Sequence, residues 1–180
     1  MNTKIRKAEA RDLDGIMLII EEARGTIASL GIDQWQDGYP QREIILSDID
    51  AGVSFCVENT DTGEIISTFA VFCDGEVLYD RIVDGEWKTG DSPSEKKDSV
   101  SYTAIHRVAI SVKARGSGLS GKIINFVGEI AKEKKKKSLR IDTHRGNVVM
   151  RRMLEKNGFV HCGTIFLEYG DPRVAYEKLI

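Results

Sequence analysis

Between Ala104 and Val127 the chain reads AIHRVAISVKARGSGLSGKIINFV. An apolar, β-branched run from Ile105 to Val112 gives way to Arg115 and a glycine-spaced loop, Gly116-Ser117-Gly118-Leu119-Ser120-Gly121. The loop opens into a helical apolar period at Ile123, Ile124 and Val127. The stretch therefore reads as strand, glycine loop, helix. Glycines let backbone approach a ligand closely, and the N–H groups of a helix's first turn have no acceptor inside the helix. Such a loop is suited to hold a phosphate or pyrophosphate, so the implied ligand is a phosphorylated cofactor.

Two templates fit this spacing. Gly116, Gly118 and Gly121 spell G-x-G-x-x-G, and Asp142 on the next expected strand lies about where a dinucleotide fingerprint needs a ribose-binding acid. In that fingerprint, however, the strand runs almost directly into the first glycine, whereas here Ser111 to Arg115 intervene and most of the chain precedes the motif. The second template, Q/R-x-x-G-x-G/A, is met by Arg115, Gly118 and, with serine for the usual small residue, Ser120. Downstream, Asn147-Val-Val-Met-Arg-Arg-Met-Leu-Glu-Lys-Asn-Gly158-Phe159 is similar to an N-x-x-A-x-x-L-Y-E-K-x-G-F helix. With both motifs in order, the chain resembles the GNAT superfamily of acetyl-CoA-dependent N-acetyltransferases, closely from Ile105 to Phe166 and loosely over its whole length.

A chain of 180 residues is expected to form one domain, and 41% hydrophobic with 30% charged residues suits a water-soluble fold with a core. A net charge of −2 gives no broad basic field, which argues against nucleic acid as partner. No apolar run approaches the ~20 residues that span a bilayer, and the N-terminus lacks the pattern of a secretory leader. A cytoplasmic location without membrane association is the expectation. Cys56, Cys73 and Cys162 are odd in number and not spaced as C-x-x-C, and the histidines are scattered, so neither a disulfide framework nor a metal is expected.

Along the chain, Lys4 to Lys7 reads as a first strand, and Asp12 and Asp14 precede an apolar stripe at Ile16, Ile19, Ile20 and Ala23. Gln41 to Ala51 suggests a second helix, followed by a hairpin of Ser54 to Glu58 and Ile65 to Phe72. The irregular stretch from Cys73 to Ser99 contains Tyr79 and Trp87; part of it is expected to pack over the site, with a mobile tip at Ser92 to Ser99. Lys132 to Lys137 reads as a solvated helix end, and Gly163 to Glu168 with Val174 to Leu179 as a closing hairpin.

The resemblance implies an α/β fold with a mixed, mostly antiparallel central sheet, splayed between its fourth and fifth strands and flanked by helices. It implies transfer of an acetyl group from acetyl-CoA to an amine. By motif position, Val108, Ala109 and Ile110 lie along the pantetheine arm, backbone N–H groups of Arg115, Gly116, Ser117, Gly118, Leu119 and Ser120 meet the pyrophosphate, and Asn147 touches the arm from the far side. The segment after the first helix, Gly31 to Pro40, implies an acceptor wall with Trp35 and Tyr39; the bland reading of Trp35 is a cap on the core. The family's tyrosine acid falls at Leu154, so the usual proton donor is missing, and Tyr169 and Tyr176 are substitutes without an assigned place.

For a base, alternation along the strands sets His106, Val108 and Ile110 on one face and Arg140, Asp142 and His144 on another. His106 and His144 are candidate proton acceptors, with Asp142 holding charge nearby. Against each stands a structural role, His106 in the core and His144 at a solvated strand end. The expected acceptor is a small-molecule amine and the protein a monomer or homodimer. A protein N-terminus or side chain as acceptor, a non-catalytic CoA-binding module and a nicotinamide oxidoreductase remain alternatives.

Overall fold

The computed structural model describes residues 1–90 and 100–180, so the expected mobile tip at Ser92 to Ser99 lies outside the described residues. Its elements are β1 (Thr3–Lys7), α1 (Leu13–Ala28), α2 (Arg42–Asp50), β2 (Ser54–Asn59), β3 (Ile65–Phe72), β4 (Tyr102–Ile110), α3 (Leu119–Glu133), β5 (Ser138–Thr143), α4 (Val148–Lys156), β6 (Val160–Phe166) and β7 (Pro172–Leu179). The strand order is β1-β2-β3-β4-β5-β7-β6. β1 with β2, β2 with β3, β5 with β7 and β6 with β7 pair antiparallel, while β4 pairs β5 in parallel. Contacts gather the chain into two compact units, Met1–Val71 with Arg107–Ile123 and Phe72–His106 with Ile124–Ile180.

In the first unit β1, β2 and β3 form a meander, with Lys7 opposite Phe55 and Ser54 opposite Ala70. The stripe on α1 buries Leu13, Ile16 and Ile20 with Ile45 and Cys56. Burial pushes the Cys56 thiol up to about 12. The entry to α1 is fixed electrostatically. Arg6 donates to both oxygens of Asp12 at 2.6 and 2.8 Å, and the Glu9 N–H donates to the same carboxylate. The Arg6 guanidinium holds the Asp12 carboxyl below its ordinary value of 3.8. A depressed folded-state pKa contributes stability above the unfolded value and loses it as pH falls through the folded one. Asp12→Asn should cost roughly 2 kcal/mol at pH 7. The gap between variant and wild type should close below about pH 3.8 in paired urea titrations; a gap that does not depend on pH would show that the charge is irrelevant.

In the second unit β5 pairs β7, and β7 pairs β6. The parallel register of β4 and β5 runs Tyr102↔Ser138, Thr103↔Leu139 and Ala104↔Arg140, and stops there although both strands continue. The parting of these strands is the expected splay.

The segment after β3 is no simple turn. It carries Tyr79 to β5, Val83 to β6 and Thr89 to β7 before returning to β4. Val83 and Thr164 exchange backbone hydrogen bonds of 2.8 and 2.9 Å on the edge of β6. Two glycines permit that approach: a Cβ on Gly85 would sit 1.9 Å from the Cys162 carbonyl oxygen, and one on Gly163 would sit 2.6 Å from that of Val83. Beyond them, Arg140 and Glu177 form an ion pair with side chains 1% and 0% exposed. The Arg140 guanidinium lies over Trp87 and Tyr102 at 4.2 and 4.0 Å from the ring centroids, and Thr89 donates to Glu177. Burial opposes ionisation of Glu177, but hydrogen bonds from Ser138, Thr89 and Arg140 outweigh it and hold the carboxyl below its usual range.

Of the lysine run only Lys132 lies in the helix. α3 ends at Glu133, Lys135 adopts a φ of 58°, and Lys136 reaches back to the Val100 carbonyl at 2.8 Å. Lys132, Lys134, Lys135 and Lys137 face solvent.

Candidate active site

Beyond the last β4–β5 pair, the second unit gathers Glu76, Tyr79, His106 and Asp142. His106 stands on β4 and Asp142 on β5. Glu76 begins a single 3-10 turn, Val77–Asp80, and is held at three points: its N–H donates to the Tyr102 hydroxyl at 2.8 Å, its carbonyl accepts from that hydroxyl at 3.3 Å, and Oε1 accepts from the Leu78 N–H. The remaining oxygen, Oε2, lies 3.0 Å from His106 Nε2. That is a charge-pair separation, yet its alignment leaves Nε2 without a hydrogen bond among the described residues. A buried imidazole nitrogen in this state has proton-accepting capacity to spare.

Tyr79 spans the parting strands. Its ring stacks on His106 at 5.9 Å and its hydroxyl donates to Asp142 Oδ1 at 2.8 Å. Desolvation pushes the Asp142 carboxyl up, opposed by the charge of His106 and the Tyr79 hydrogen bond. Burial, reinforced by Asp142, pushes the Tyr79 hydroxyl well above its ordinary value, which keeps it a donor. Phe72 closes the other side of His106, edge-on at 5.4 Å. Thus His106 and Asp142 are brought together and His144 is not. His144 lies past the end of β5, where its Nδ1 accepts from the Gly146 N–H at 3.0 Å, so it serves the turn into α4.

The alternation expected along β4 breaks between His106 and Val108. Arg107 takes a φ of 53°, a left-handed conformation rare for a non-glycine residue, and this interrupts the two-residue period. Its guanidinium donates to both oxygens of Asp48 at 2.7 and 2.9 Å and to the Tyr39 hydroxyl at 2.8 Å. Arg24 draws in the next part of the same wall, donating to the carbonyls of Gly38, Tyr39 and Pro40. Trp35 stands 6.3 Å from Tyr39, both half-buried. Tyr39 is therefore a brace, and Trp35 is neither fully core nor fully free.

In the first unit the glycine loop connects β4 to α3. Ser67 donates to the Ala109 carbonyl at 2.8 Å, Val108 and Ile110 are half-exposed, and Arg115 to Gly118 face solvent. Gly116 and Gly118 have φ values of 76° and 77°, and a Cβ on either would meet nothing within 4 Å. The loop's side chains are already occupied: Arg115 donates to Thr26 at 2.6 Å, Ser117 to the Ala114 carbonyl at 2.7 Å, and Leu119 is buried. This open, backbone-lined cradle fits a pyrophosphate better than it fits any ligand read by side chains. Asn147 caps α4, its Oδ1 accepting from the Met150 N–H at 3.1 Å.

Strand, glycine loop, parted strands and α4 coincide with a known pattern. The model of the acetyltransferase (GNAT) family matches residues 20–159. This chain belongs to that family. A solved GNAT-family acetyltransferase from Streptococcus agalactiae is 37% identical over 99% of this chain and 95% of its own, with a TM-score of 0.81. One from Listeria monocytogenes is 18% identical over 99% and 95%, with a TM-score of 0.69. The PaiA N-acetyltransferase of Thermoplasma acidophilum, solved with coenzyme A, is 17% identical over the full length of both chains, with a TM-score of 0.70. The latter two likenesses concern the fold. Comparison with curated proteins finds no match. Among the described residues no helix is long and apolar enough to cross a membrane.

Against the GNAT pattern, the missing tyrosine has a physical context. Leu154 is fully buried in α4. Leu154→Tyr would have to insert a ring and hydroxyl into packed core, and should cost about 1–3 kcal/mol by urea unfolding. A variant as stable as wild type would mean that the site has room for the family's acid. Tyr169 lies in the turn between β6 and β7, 94% exposed, and the Tyr176 hydroxyl accepts from Arg151 and donates to Glu155 of α4, each at 3.1 Å.

Sequence reasoning missed Glu76. It is one acid in a segment that also holds Asp74, Asp80, Asp84 and Glu86, with nothing in its spacing to distinguish it. Tyr79 carried a signal, an aromatic residue in a connection longer than a hairpin requires.

Proposed function

We propose that this single N-acetyltransferase domain moves an acetyl group directly from acetyl-CoA to a primary amine of a small-molecule acceptor. The observation that carries this reading is the Glu76–His106 pair, in which His106 stands on β4 two residues beyond the last one paired with β5 and Glu76 comes from the connection after β3. Acetyl-CoA, when bound, supplies the activated acyl group as a thioester. Val108, Ala109 and Ile110 offer strand backbone to its pantetheine arm, as an added strand would require. The N–H groups from Arg115 to Ser120 receive the pyrophosphate, and Asn147 contributes its side-chain amide to the arm.

An amine attacks only when neutral. The Glu76–His106 pair accepts its proton as a unit, and the resulting imidazolium is stabilised by the Glu76 carboxylate at 3.0 Å. Asp142 adds negative charge on the other strand, while His144 is retained as a secondary candidate on the α4 turn. With leucine at position 154, water protonates the leaving thiolate. Trp35 supplies flat apolar surface to the acceptor and Tyr39 fixes its wall. A wall tied at three successive carbonyls suits a compact acceptor.

A cytoplasmic setting, as monomer or homodimer, belongs to the same reading; all three cysteines are free thiols. The test is calorimetric titration with acetyl-CoA and with NADH, then thiol release over a panel of small amines and peptide N-termini. Saturable acetyl-CoA binding with thiol release on a small amine is the expected result. Release on peptides alone would replace the acceptor class, binding without release would leave a CoA-binding module, and binding of NADH alone would overturn the reading.

A further inference from the structure

Tyr79 is larger and more deeply set than a wall residue needs to be, and its two ends do different things. The ring lies against His106 at 5.9 Å with an interplanar angle of 29°, and the hydroxyl donates to Asp142 at 2.8 Å. The backbone that carries it is fixed independently: its N–H donates to the Glu76 carbonyl at 2.9 Å, and its carbonyl accepts from Trp87 Nε1 at 2.8 Å. Trp87 is in turn stacked under Arg140, whose partner Glu177 is anchored on β7. A hydroxyl held this rigidly meets one carboxylate oxygen, and because burial keeps the phenol protonated it has a hydrogen to give to that oxygen.

We propose that Tyr79 is a positioning residue that keeps Asp142 ionised beside His106 and thereby sets the pH at which His106 can accept a proton. This rests on the reading of His106 as part of the proton-accepting pair. The charged and titratable groups around the imidazole come from three elements: Glu76 and Tyr79 from the connection after β3, Asp142 from β5, and Arg173 from β7 acting on Asp142. Phe72 covers the remaining side and carries no charge. Among these groups it is the Tyr79 hydroxyl that donates a hydrogen bond to the Asp142 carboxylate, at 2.8 Å. Removing it leaves a desolvated carboxyl that takes up a proton more readily. The imidazole then loses a neighbouring negative charge, and its protonated form is favoured less.

The test reads His106 directly and needs no acceptor. The chain has three histidines, so their ring signals in an NMR titration can be assigned with a His106→Gln variant. In Tyr79→Phe, which keeps the ring and loses the hydroxyl, the His106 titration should move to lower pH by about half to one unit. Asp142→Asn, which keeps a partner for the hydroxyl and loses the charge, should move it in the same direction. A shift in both variants supports the proposal. A His106 titration unmoved by Tyr79→Phe, with or without a shift in Asp142→Asn, overturns it, because Tyr79 then packs without acting through the carboxylate. Should Tyr79→Phe fail to fold, Asp142→Asn decides alone: no shift overturns the proposal. Thiol release by wild type on the amine panel separately reports whether the underlying reading of acetyl transfer holds.

Discussion

Replacing Gly118 with glutamate should lower acetyl-CoA affinity at least about 100-fold, roughly 2.7 kcal/mol. A Cβ at this position meets nothing among the described residues within 4 Å, so no neighbour opposes the start of a side chain. Its φ of 77° adds a cost on the order of 1 kcal/mol for any L residue. What is lost is the ligand's proposed place, because a carboxylate then stands among the N–H groups proposed to receive the phosphate oxygens, and like charges repel across a short distance. Gly118→Ala separates the two effects, since it carries the backbone cost without charge and should lose only a few-fold. Calorimetry gives the affinities, and urea unfolding shows whether each variant is folded. Undiminished binding by folded Gly118→Glu would remove the loop from cofactor recognition.

The second large effect is expected at the proposed proton acceptor. His106→Ala should lower kcat about 100-fold or more, the usual range for loss of general base assistance, with acetyl-CoA affinity unchanged. Glu76→Gln keeps the imidazole and removes the charge beside it, and should lower kcat about ten-fold. The paired signature, rate lost and cofactor binding kept, is what separates this group from the glycine loop. If His106→Ala turns over like wild type, the base lies elsewhere and His144 becomes the next candidate.

The division between what could be read in the chain and what could not follows the range of the forces involved. β3 was legible to the residue, and the entry to α1, the hairpin after α2 and the turn through Gly116 and Gly118 were legible because each is set by neighbours a few positions apart. Glu76 was not, because its role comes from Tyr102 and His106, far along the chain. The Tyr79 hydroxyl meets a carboxylate 63 residues away, and Arg140 meets one 37 residues away. Arg140 itself reads as one more charged residue on a strand; the Glu177 carboxylate, the Thr89 hydroxyl and the two aromatic rings against it, all distant in sequence, make a buried guanidinium tolerable. Arg107 breaks the alternation of β4 with no glycine or proline to announce it. Its left-handed backbone is held by Asp48 and Tyr39, which belong to the helix and wall on the other side of the sequence.

The short bridge between Val83 and Thr164 also governs how the molecule meets copies of itself. A terminal strand normally exposes a ladder of unmet N–H and C=O groups that invites a stranger's strand. On β6 the ladder is interrupted at its centre by the chain's own connection, seated so closely that two glycines are obligatory. A second molecule cannot continue the sheet past that point without first dislodging the segment that carries Tyr79. Protection of this edge and the seating of Tyr79 against His106 are therefore one and the same mechanical condition on this flank.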